Sequence, residues 1–384
     1  MDFTFFYTGF RFGFFIVFTA LHIGLMAGLV LERLREKAAL KRALPSFPGV
    51  SVIIPVHNES CRIAPLLRSL AAQDYPKAEI IFVDDRSADS TAAIIAAFIR
   101  DLLKDSPLSV KVIRLAENPG PNYKQYALAR GIEAACGEFL LFTDADCEVP
   151  PQWIRCMVKR MCAAETGVVI GPVLKRSGGR GFFHLYQCYE HGVRYLYLAG
   201  AIGLGSAGGG FGNNLILRRK SLDAVGGYDN IPPSPTEDAA LISRIRARSG
   251  YKARAAFGVD VHVITQTEAC WKDFINQTLR WNNGGIFSPD TVTRLNYTFL
   301  MVMTSAGVLA VPLLPFIPSL WPLPIATITV MIFNTIANLV FFALSLPKRR
   351  GAFVLALLFT PAYFTLMTLL GFLGIKPTWK GKTV

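Results

Sequence analysis

An uncharged apolar run near the N-terminus most constrains what this chain can fold into. Residues 12–31 (FGFFIVFTALHIGLMAGLVL) contain no formal charge, and a membrane-spanning helix needs about 20 such residues. A cleaved signal peptide is the alternative reading. It is disfavoured because Asp2 stands where a basic start is expected and no small-residue cleavage site follows. The run predicts an uncleaved membrane anchor within residues 1–32.

A cluster of basic residues follows this anchor at positions 33, 35, 37, 41 and 42. Positive charge beside a first membrane helix marks the cytosolic side. We therefore expect residues 33–47 to be a basic juxtamembrane linker and the middle of the chain to lie in the cytosol. The net charge of +13 then indicates attraction to anionic lipid, and no nucleic-acid partner is expected.

The chain becomes apolar again between residues 295 and 375. Spans are predicted at 299–318, 321–346 and 352–374, with a cytosolic loop at 347–350 and a basic tail at 376–384. Pro312 and Pro315 leave open whether the first span crosses fully. These segments predict an integral protein of a bacterial-type inner membrane or its equivalent, bound to the lipid bilayer.

Between residues 48 and 270 the pattern is that of an α/β domain. Short apolar runs at 50–56, 80–83, 110–115 and 139–142 alternate with helical stretches at 62–73, 90–103 and 123–136. This alternation predicts a doubly wound domain whose sheet is buried on both faces. Ligands of such sheets bind beyond the carboxyl ends of the strands, so the residues there are the candidates for a site.

Carboxylates follow three of these predicted strands. The first strand ends at Pro55, His57 and Glu59, the second at Asp84 and Asp85, and the strand at 139–142 at Asp144 and Asp146. Three such groups at one edge would repel unless a cation or hydrogen-bond donors lay among them. Two carboxylates one residue apart suit Mg²⁺ or Mn²⁺, which commonly bridges protein oxygens to substrate phosphate. A divalent-metal cofactor is therefore predicted.

A glycine-rich loop at 203–208 has the spelling G-x-G-x-x-G. The dinucleotide-binding motif with this spelling requires a strand before it and a helix after it. Here more glycines follow, and then a strand-like apolar run at 215–217. We expect a loop beside a ligand rather than a nucleotide-binding turn.

The order of the motifs along the chain resembles that of a known family. The segments are SVIIPVHNES (51–60), FVDDRSADST (82–91), FTDADCEVPPQW (142–153), PTEDAAL (235–241) and QTLRW (277–281). Over about residues 48–285 they resemble the membrane-bound family 2 glycosyltransferases. The resemblance implies a GT-A-type mixed sheet with one N-terminal and about three C-terminal transmembrane helices, and a nucleotide-sugar donor that is usually UDP-linked. It also implies that residues 271–290 form an interfacial segment.

The resemblance also implies roles for individual residues. Pro55, His57 and Glu59 would line the nucleoside pocket, with Asp84 or Asp85 on the uracil or ribose. Lys124 would face the diphosphate or donor sugar, Asp144 the ribose or sugar, and Asp146 would ligate the metal. His57 and Arg86 stand where small, aromatic or glycine residues are frequent in the family, which leaves the contacts to the base open.

The remaining roles concern the acceptor and the chemistry. Asp238, beside Glu237, matches the general base, although its place at a predicted helix start also suits a residue that complements the helix dipole. Asn213 and Asn214 match the floor of the acceptor site. Gln277, Arg280 and Trp281 would form a closing element, with Arg280 on the diphosphate and Trp281 against the acceptor.

Two functions fit this pattern. The first is inverting transfer of a hexose from UDP-glucose or UDP-N-acetylglucosamine to the hydroxyl of a membrane lipid, as in enzymes similar to ceramide glucosyltransferase. The alternative is a processive synthase that elongates and exports a β-linked polymer. The scarcity of polar residues in the C-terminal spans argues against a sugar channel, although a homo-oligomer could complete one. The aromatic-rich stretch at 182–197 fits either a lipid groove or a helix packed on the core.

Overall fold

The computed structural model describes residues 3–43, 46–102, 108–206, 209–234, 236–288, 290–342, 351–375, 378–379 and 382–383. The predicted loop at 347–350, most of the predicted tail, and Pro235 lie outside the described residues. The chain divides into an α/β unit, residues 31–176 and 207–266, and a helical unit, residues 1–30, 177–206 and 267–384. This division differs from the predicted one because residues 177–206 belong to the helical unit.

The elements are numbered in chain order. The helices are α1 Phe3–Leu40, α2 Ala64–Ala71, α3 Thr91–Leu102, α4 Tyr123–Ala134, α5 Trp153–Arg160, α6 Phe182–Gly203, α7 Arg219–Asp223, α8 Glu237–Arg248, α9 Trp271–Ile286, α10 Thr291–Ala310, α11 Pro322–Phe342 and α12 Ala352–Phe372. The strands are β1 Val50–Val56, β2 Ala78–Asp84, β3 Ser109–Arg114, β4 Phe139–Phe142, β5 Thr166–Ile170, β6 Val173–Arg176, β7 Leu215–Arg218, β8 Lys252–Ala255, β9 Val263–Gln266, β10 Thr378–Trp379 and β11 Lys382–Thr383.

A seven-stranded mixed sheet organises the α/β unit, in the order β3-β2-β1-β4-β7-β5-β8. β1 pairs in parallel with β2 and β4, and β2 with β3, whereas β7 runs antiparallel between β4 and β5. Strands β6 and β9 form a separate parallel pair. This architecture confirms the prediction of a GT-A-type mixed sheet. Because β2, β1 and β4 are parallel neighbours, the loops that follow them leave the same edge.

The apolar strands are buried as their sequences predict, with one exception. Strands β1, β2 and β4 consist almost wholly of buried residues. The side chains on one face of these strands pack in a core that includes Trp153 and Tyr75. β3 is partly or fully exposed along its length. It is one of the two edge strands of the sheet, and three of its six residues are polar, which suits an edge. The prediction of a doubly buried strand was therefore wrong there.

The basic segment after the anchor is not a linker. Residues 31–40 continue helix α1 and belong to the α/β unit. Glu36 is buried, and its Oε1 accepts hydrogen bonds from Arg160 Nε (2.8 Å), Phe257 N (2.9 Å) and Gly258 N (3.2 Å). Glu32 is fully buried and accepts one from Ala255 N (3.1 Å). The two carboxylates therefore bind backbone amides at the end of β8.

The helical unit contains the segments predicted to span a membrane. Four helices are long and apolar enough to do so within the described residues, at Phe12–Leu40, Thr291–Leu313, Pro318–Phe342 and Phe353–Phe372. The first C-terminal segment begins at Thr291, eight residues before the predicted start, because Asp290 accepts a hydrogen bond from Thr293 N and caps the helix there. α6 packs against α11 and α12 in this unit.

Helices α1 and α6 cross at glycines. A Cβ added to Gly28 would lie 2.1 Å from the carbonyl oxygen of Gly200, and one added to Gly203 would lie 2.0 Å from the carbonyl oxygen of Gly28. Neither distance leaves room for a side chain. Small residues that allow backbones to approach closely are typical of helix packing in membranes, and these three glycines set the closeness of the α1–α6 contact.

Candidate active site

The loops after β1 and β2 are tied to each other. Asn58 N donates to Ser87 Oγ (3.0 Å), and Ala88 N donates to Asn58 Oδ1 (2.8 Å). Asn58 and Arg86 adopt φ angles of 54° and 59°, in the left-handed region that residues with a side chain seldom occupy. Such backbone strain is concentrated at functional sites, and here it marks the edge where the sequence predicts a nucleoside pocket.

Asp84 and Asp85 are both buried at the end of β2. Asp85 accepts hydrogen bonds from Asn118 Nδ2 (2.9 Å) and Arg86 Nε (2.8 Å), and Asp84 accepts one from Ser87 N (3.0 Å). These donors offset the cost of burying the two carboxyl groups.

Three further residues, Tyr123, His57 and Pro55, lie beside this region. The Arg86 guanidinium lies 4.8 Å from the centroid of the Tyr123 ring, a cation–π contact. His57 Nδ1 lies 2.6 Å from the carbonyl oxygen of Asp85, and Pro55 is partly exposed near the end of β1. The residues that depart from the family pattern, His57 and Arg86, thus contact the predicted nucleoside residues directly.

Lys124 joins carboxylates from two parts of the chain. Its Nζ lies 2.7 Å from Asp144 Oδ1 and 3.6 Å from Glu237 Oε1. Burial alone would lower the pKa of Lys124, but the negative charges of Asp144 and Glu237, with that of Asp238, outweigh burial and raise the pKa. The ammonium is therefore a permanent cation among the acidic residues.

Asp146 lies on the same turn and faces a second cation. Its carboxylate is 3.9 Å from Arg62 Nη1, and Arg62 Nη2 is 2.8 Å from Glu59 Oε2. Partial burial and the neighbouring charge of Asp144 raise the pKa of Asp146. Negative charge is thus crowded at the D-x-D turn, as expected where a cation binds.

The donor set at this turn fits a hard divalent ion in part. Asp144 and Asp146 supply the carboxylate oxygens that Mg²⁺ or Mn²⁺ prefers. Among the described residues no group of three His, Cys, Asp or Glu side chains is arranged to hold a metal. The protein ligands alone would therefore not complete a coordination shell, so substrate phosphate or water would have to supply the rest.

Asp238 is held at the start of α8. Its Oδ2 accepts a hydrogen bond from Gly212 N (2.6 Å) and its Oδ1 one from Ala239 N (2.8 Å). A Cβ on Gly210 would lie 2.7 Å from Asp238 Cγ, so the glycine-rich loop must lack a side chain there. The carboxylate is only partly buried, and each oxygen keeps a second lone pair. The geometry is therefore compatible with both predicted readings, a base and a helix-terminal carboxylate.

The two asparagines after the glycine loop differ in role. Asn213 Nδ2 lies 3.7 Å from the Sγ of Cys147, next to Asp146. Asn214 is fully buried; its Nδ2 donates to Pro172 O (2.8 Å) and Val261 O (2.7 Å), and its Oδ1 accepts from Trp153 Nε1 (2.9 Å). Both amide protons and the carbonyl of Asn214 are used within the core. Its predicted place in the acceptor floor stays a prediction, and a ligand there would find only the second lone pair of Oδ1 unused.

The Q-x-x-R-W residues lie in the helical unit, on α9. Gln277 Nε2 donates to Glu268 Oε1 (2.7 Å), and Arg280 and Trp281 are partly exposed. The Trp281 ring lies 5.3 Å from that of His191 and 5.2 Å from the guanidinium carbon of Arg194. Trp281 thus packs on α6, a partner that the sequence analysis did not identify.

Sequence reasoning missed other residues of the α/β site. Arg62, Asn118 and Tyr123 each contact a predicted carboxylate or its partner. Asn118 and Tyr123 lie in the loop and first turn that follow β3, whose carboxyl end lies on the same edge. The strand-end rule that found the carboxylates would have found them as well.

Comparison with known proteins agrees with this geometry. A model of "Glycosyl transferase family 2" matches residues 51–226, and one of "Glycosyl transferase family group 2" matches residues 139–374. The chain is 26% identical over 302 residues to a beta-monoglucosyldiacylglycerol synthase of Trichormus variabilis, covering 75% of this chain and 61% of that relative. It is 28% identical over 254 residues to a probable glycosyltransferase of Bacillus subtilis, covering 63% of this chain and 56% of that one.

A solved structure supports the fold. A mannosyltransferase from Pyrobaculum calidifontis, solved with GDP-Man and Mn²⁺, superposes with a TM-score of 0.51 at 20% identity, covering 95% of this chain and 99% of that one. The second family model covers more than half of this chain. The chain therefore belongs to the family 2 group of glycosyltransferases.

Proposed function

We propose that this protein transfers a hexose from a nucleotide sugar, UDP-glucose or UDP-N-acetylglucosamine, to the hydroxyl of a membrane lipid, with inversion and on the cytosolic side. The observation that carries the proposal is the position of Lys124 between the D-x-D turn and the start of α8. One fixed cation there neutralises carboxylates of both segments. This position supports a donor diphosphate at the D-x-D turn and an acceptor base at the start of α8, with Lys124 between them.

The leaving diphosphate needs positive charge that is in place before the bond breaks. Lys124 provides it in the α/β unit, and Arg62 lies beside Asp146 on the other side of the turn. Asp144 and Asp146 would hold a divalent ion together with the diphosphate, and that ion would supply further charge neutralisation when bound. Arg280 is proposed to act on the diphosphate as the family resemblance implies.

Asp238 is the proposed general base, with Glu237 beside it. The amides of Gly212 and Ala239 fix the orientation of its carboxylate, which leaves a lone pair to accept the proton of the attacking hydroxyl. Attack on the face opposite the leaving group inverts the anomeric carbon, so an α-linked donor gives a β-linked product.

The lipid acceptor is supported by two observations. Four helices are apolar enough to span a membrane, and a relative that matches 75% of this chain is named a beta-monoglucosyldiacylglycerol synthase. Because this chain spans only 61% of that relative, its own acceptor has to be measured.

The base assignment is tested by Asp238→Asn in the full-length protein. We expect transfer to fall by about 10²–10⁴-fold, the usual contribution of a general base, while the affinity for the UDP-sugar stays nearly unchanged. Asp229→Asn is the matched control. Asp229 is exposed, and its carboxylate makes only a long ion pair, 3.7 Å, with Arg130. A variant at Asp238 that keeps more than about a tenth of wild-type turnover would refute the assignment.

The acceptor class is tested by the product. Membranes supplied with radiolabelled UDP-glucose or UDP-N-acetylglucosamine and Mn²⁺ should yield label that extracts into organic solvent as a glycolipid. Label in an insoluble polymer of many units would instead establish the processive alternative.

A further inference from the structure

A buried polar cluster lies inside the helical unit, apart from the predicted site residues of the α/β unit. On α6, Glu190 Oε1 accepts a hydrogen bond from Arg194 Nε. Arg194 Nη2 donates to Asn282 Oδ1 (3.3 Å), and Tyr297 Oη donates to the same oxygen (2.6 Å). Glu190 and Asn282 are fully buried. Four groups from α6, α9 and α10 thus form one network.

Two atoms of this network are unsatisfied. Within the part of the chain that the structure describes, neither Glu190 Oε2 nor Asn282 Nδ2 has a hydrogen-bond partner, and both atoms are shielded from solvent. The orientation of the Asn282 amide is fixed because Arg194 can only donate, so the oxygen must face the guanidinium. A buried polar atom without a partner costs about 1–3 kcal/mol, a cost that a bound ligand would remove.

The two unsatisfied atoms belong to neighbouring side chains and are opposite in character. Nε–H and Nη2–H of a guanidinium point from the same edge, and here they hold Glu190 and Asn282 side by side. Glu190 Oε2 needs a hydrogen-bond donor, whereas Asn282 Nδ2 needs an acceptor. A hydroxyl is both. A phosphate would be repelled by the carboxylate, and an ammonium could not accept from the amide.

The surroundings suit a lipid that carries such a hydroxyl. The guanidinium carbon of Arg194 lies 5.2 Å from the Trp281 ring centroid and 5.5 Å from that of Phe364, so two aromatic rings are in cation–π contact with it. Trp281 and Tyr297, which contact the cluster, are themselves partly exposed. A buried ion pair contributes little net stability, and ionisable groups among membrane helices are expensive to keep and usually functional.

We propose that Glu190 and Asn282 bind the neutral, hydroxyl-bearing head group of the lipid acceptor and hold it before transfer. The hydroxyl would donate to Glu190 Oε2 and accept from Asn282 Nδ2. This inference rests on the proposed function in so far as the bound lipid is the acceptor. The binding itself is measured without donor sugar, so the two can fail separately.

The test uses the protein in phosphatidylglycerol nanodiscs and compares two lipid probes. One probe is 1,2-dioleoylglycerol, and the other is its 3-O-methyl ether, which accepts a hydrogen bond but cannot donate one. The wild-type protein should be thermally stabilised by the diacylglycerol at concentrations about tenfold lower than by the ether, as the loss of one hydrogen bond predicts. Glu190→Gln replaces the free acceptor by a donor and keeps an oxygen for Arg194. The variant should therefore reverse the preference in favour of the ether.

Asn282→Asp provides a second test should Glu190→Gln not fold. It keeps the oxygen that faces Arg194 and Tyr297 but removes the donor, so binding of the ether should be lost and that of diacylglycerol weakened. Tyr189→Phe is the matched control. It removes a buried hydroxyl that contacts Thr335 (2.9 Å) elsewhere in the same unit, and the lipid preference should stay that of wild type.

Equal binding of the two probes by the wild-type protein, or an unchanged preference in both variants, would overturn the inference and leave buried water as the partner of the two atoms. Transfer assays separate this from the enzyme assignment. If diacylglycerol is glycosylated with the same KM in wild type and Glu190→Gln, the site is refuted and the proposed function stands. If diacylglycerol binds with the expected preference but no lipid is glycosylated, the site stands and the proposed function is refuted.

Discussion

Removal of the Glu36 carboxylate should loosen the end of β8 selectively. Glu36 Oε1 accepts three hydrogen bonds, two of them from the backbone amides of Phe257 and Gly258. In Glu36→Ala both amides lose this oxygen within a buried region, at a cost of about 1–3 kcal/mol each. Arg160 keeps Asp260, whose oxygens lie 3.0 Å from both of its Nη atoms. The local loss is therefore about 4 kcal/mol.

Hydrogen exchange measures this loss in the full-length protein in detergent. A free-energy change of about 4 kcal/mol corresponds to about a 10³-fold faster exchange of the amides of Phe257 and Gly258. Glu36→Gln keeps an oxygen at that position but loses the charge, so its effect should be only about tenfold. Glu133→Ala, which removes an exposed carboxylate on α4, should leave this segment unchanged.

The reasoning would be refuted if Glu36→Ala exchanged within a few-fold of wild type at these amides, or if the glutamine and alanine variants were equal. The first result would mean that the amides do not depend on the carboxylate. The second would mean that the loss comes from the charge and not from the hydrogen bonds.

Three further predictions concern other parts of the chain. Lys124→Met should lower transfer by about 10²-fold, the usual loss for one stabilising group, whereas Lys111→Met, a surface change on β3, should not. Gly200→Ala should lower the thermal midpoint by several degrees because its Cβ would lie 2.6 Å from Leu25 O, whereas Gly24→Ala, with its nearest neighbour at 3.8 Å, should not. Arg86→Gly should relieve about 1 kcal/mol of backbone strain yet raise the KM for the UDP-sugar several-fold. An unchanged KM would show that the Arg86–Tyr123 contact is not part of the donor site.

The sheet could be predicted because its signal is local. Each central strand is a short apolar run, and the runs at 50–56 and 139–142 coincide with β1 and β4. The strand-end rule then located Asp144 and Asp146, because parallel neighbours place their following loops together. The contact of Lys124 with these loops and with Glu237 needed the family resemblance, since α8 is more than a hundred residues away from α4 in the chain.

Asn214 shows what such reasoning cannot reach. Two consecutive asparagines after a glycine loop look equally available in the sequence, yet one contacts the D-x-D turn and the other is consumed in the core. The difference depends on the side chain of Trp153 and the carbonyls of Pro172 and Val261, which reach Asn214 only when the sheet has formed. No local pattern distinguishes a buried amide whose partners are distant backbone groups.

Acidic residues beside arginines are a second case in which a local pattern does not reveal burial. Glu36 lies three residues after Arg33, and Glu190 four residues before Arg194, spacings that on a surface helix indicate exposed pairs worth a few tenths of a kcal/mol. Both glutamates are instead buried, where a carboxylate must find several donors or carry a cost. The two oxygens of Glu36 accept four hydrogen bonds, whereas one oxygen of Glu190 accepts none in the described residues. The same sequence pattern therefore has two meanings here, a structural anchor in the α/β unit and an unfilled binding position in the helical unit, and only the count of donors around each oxygen separates them.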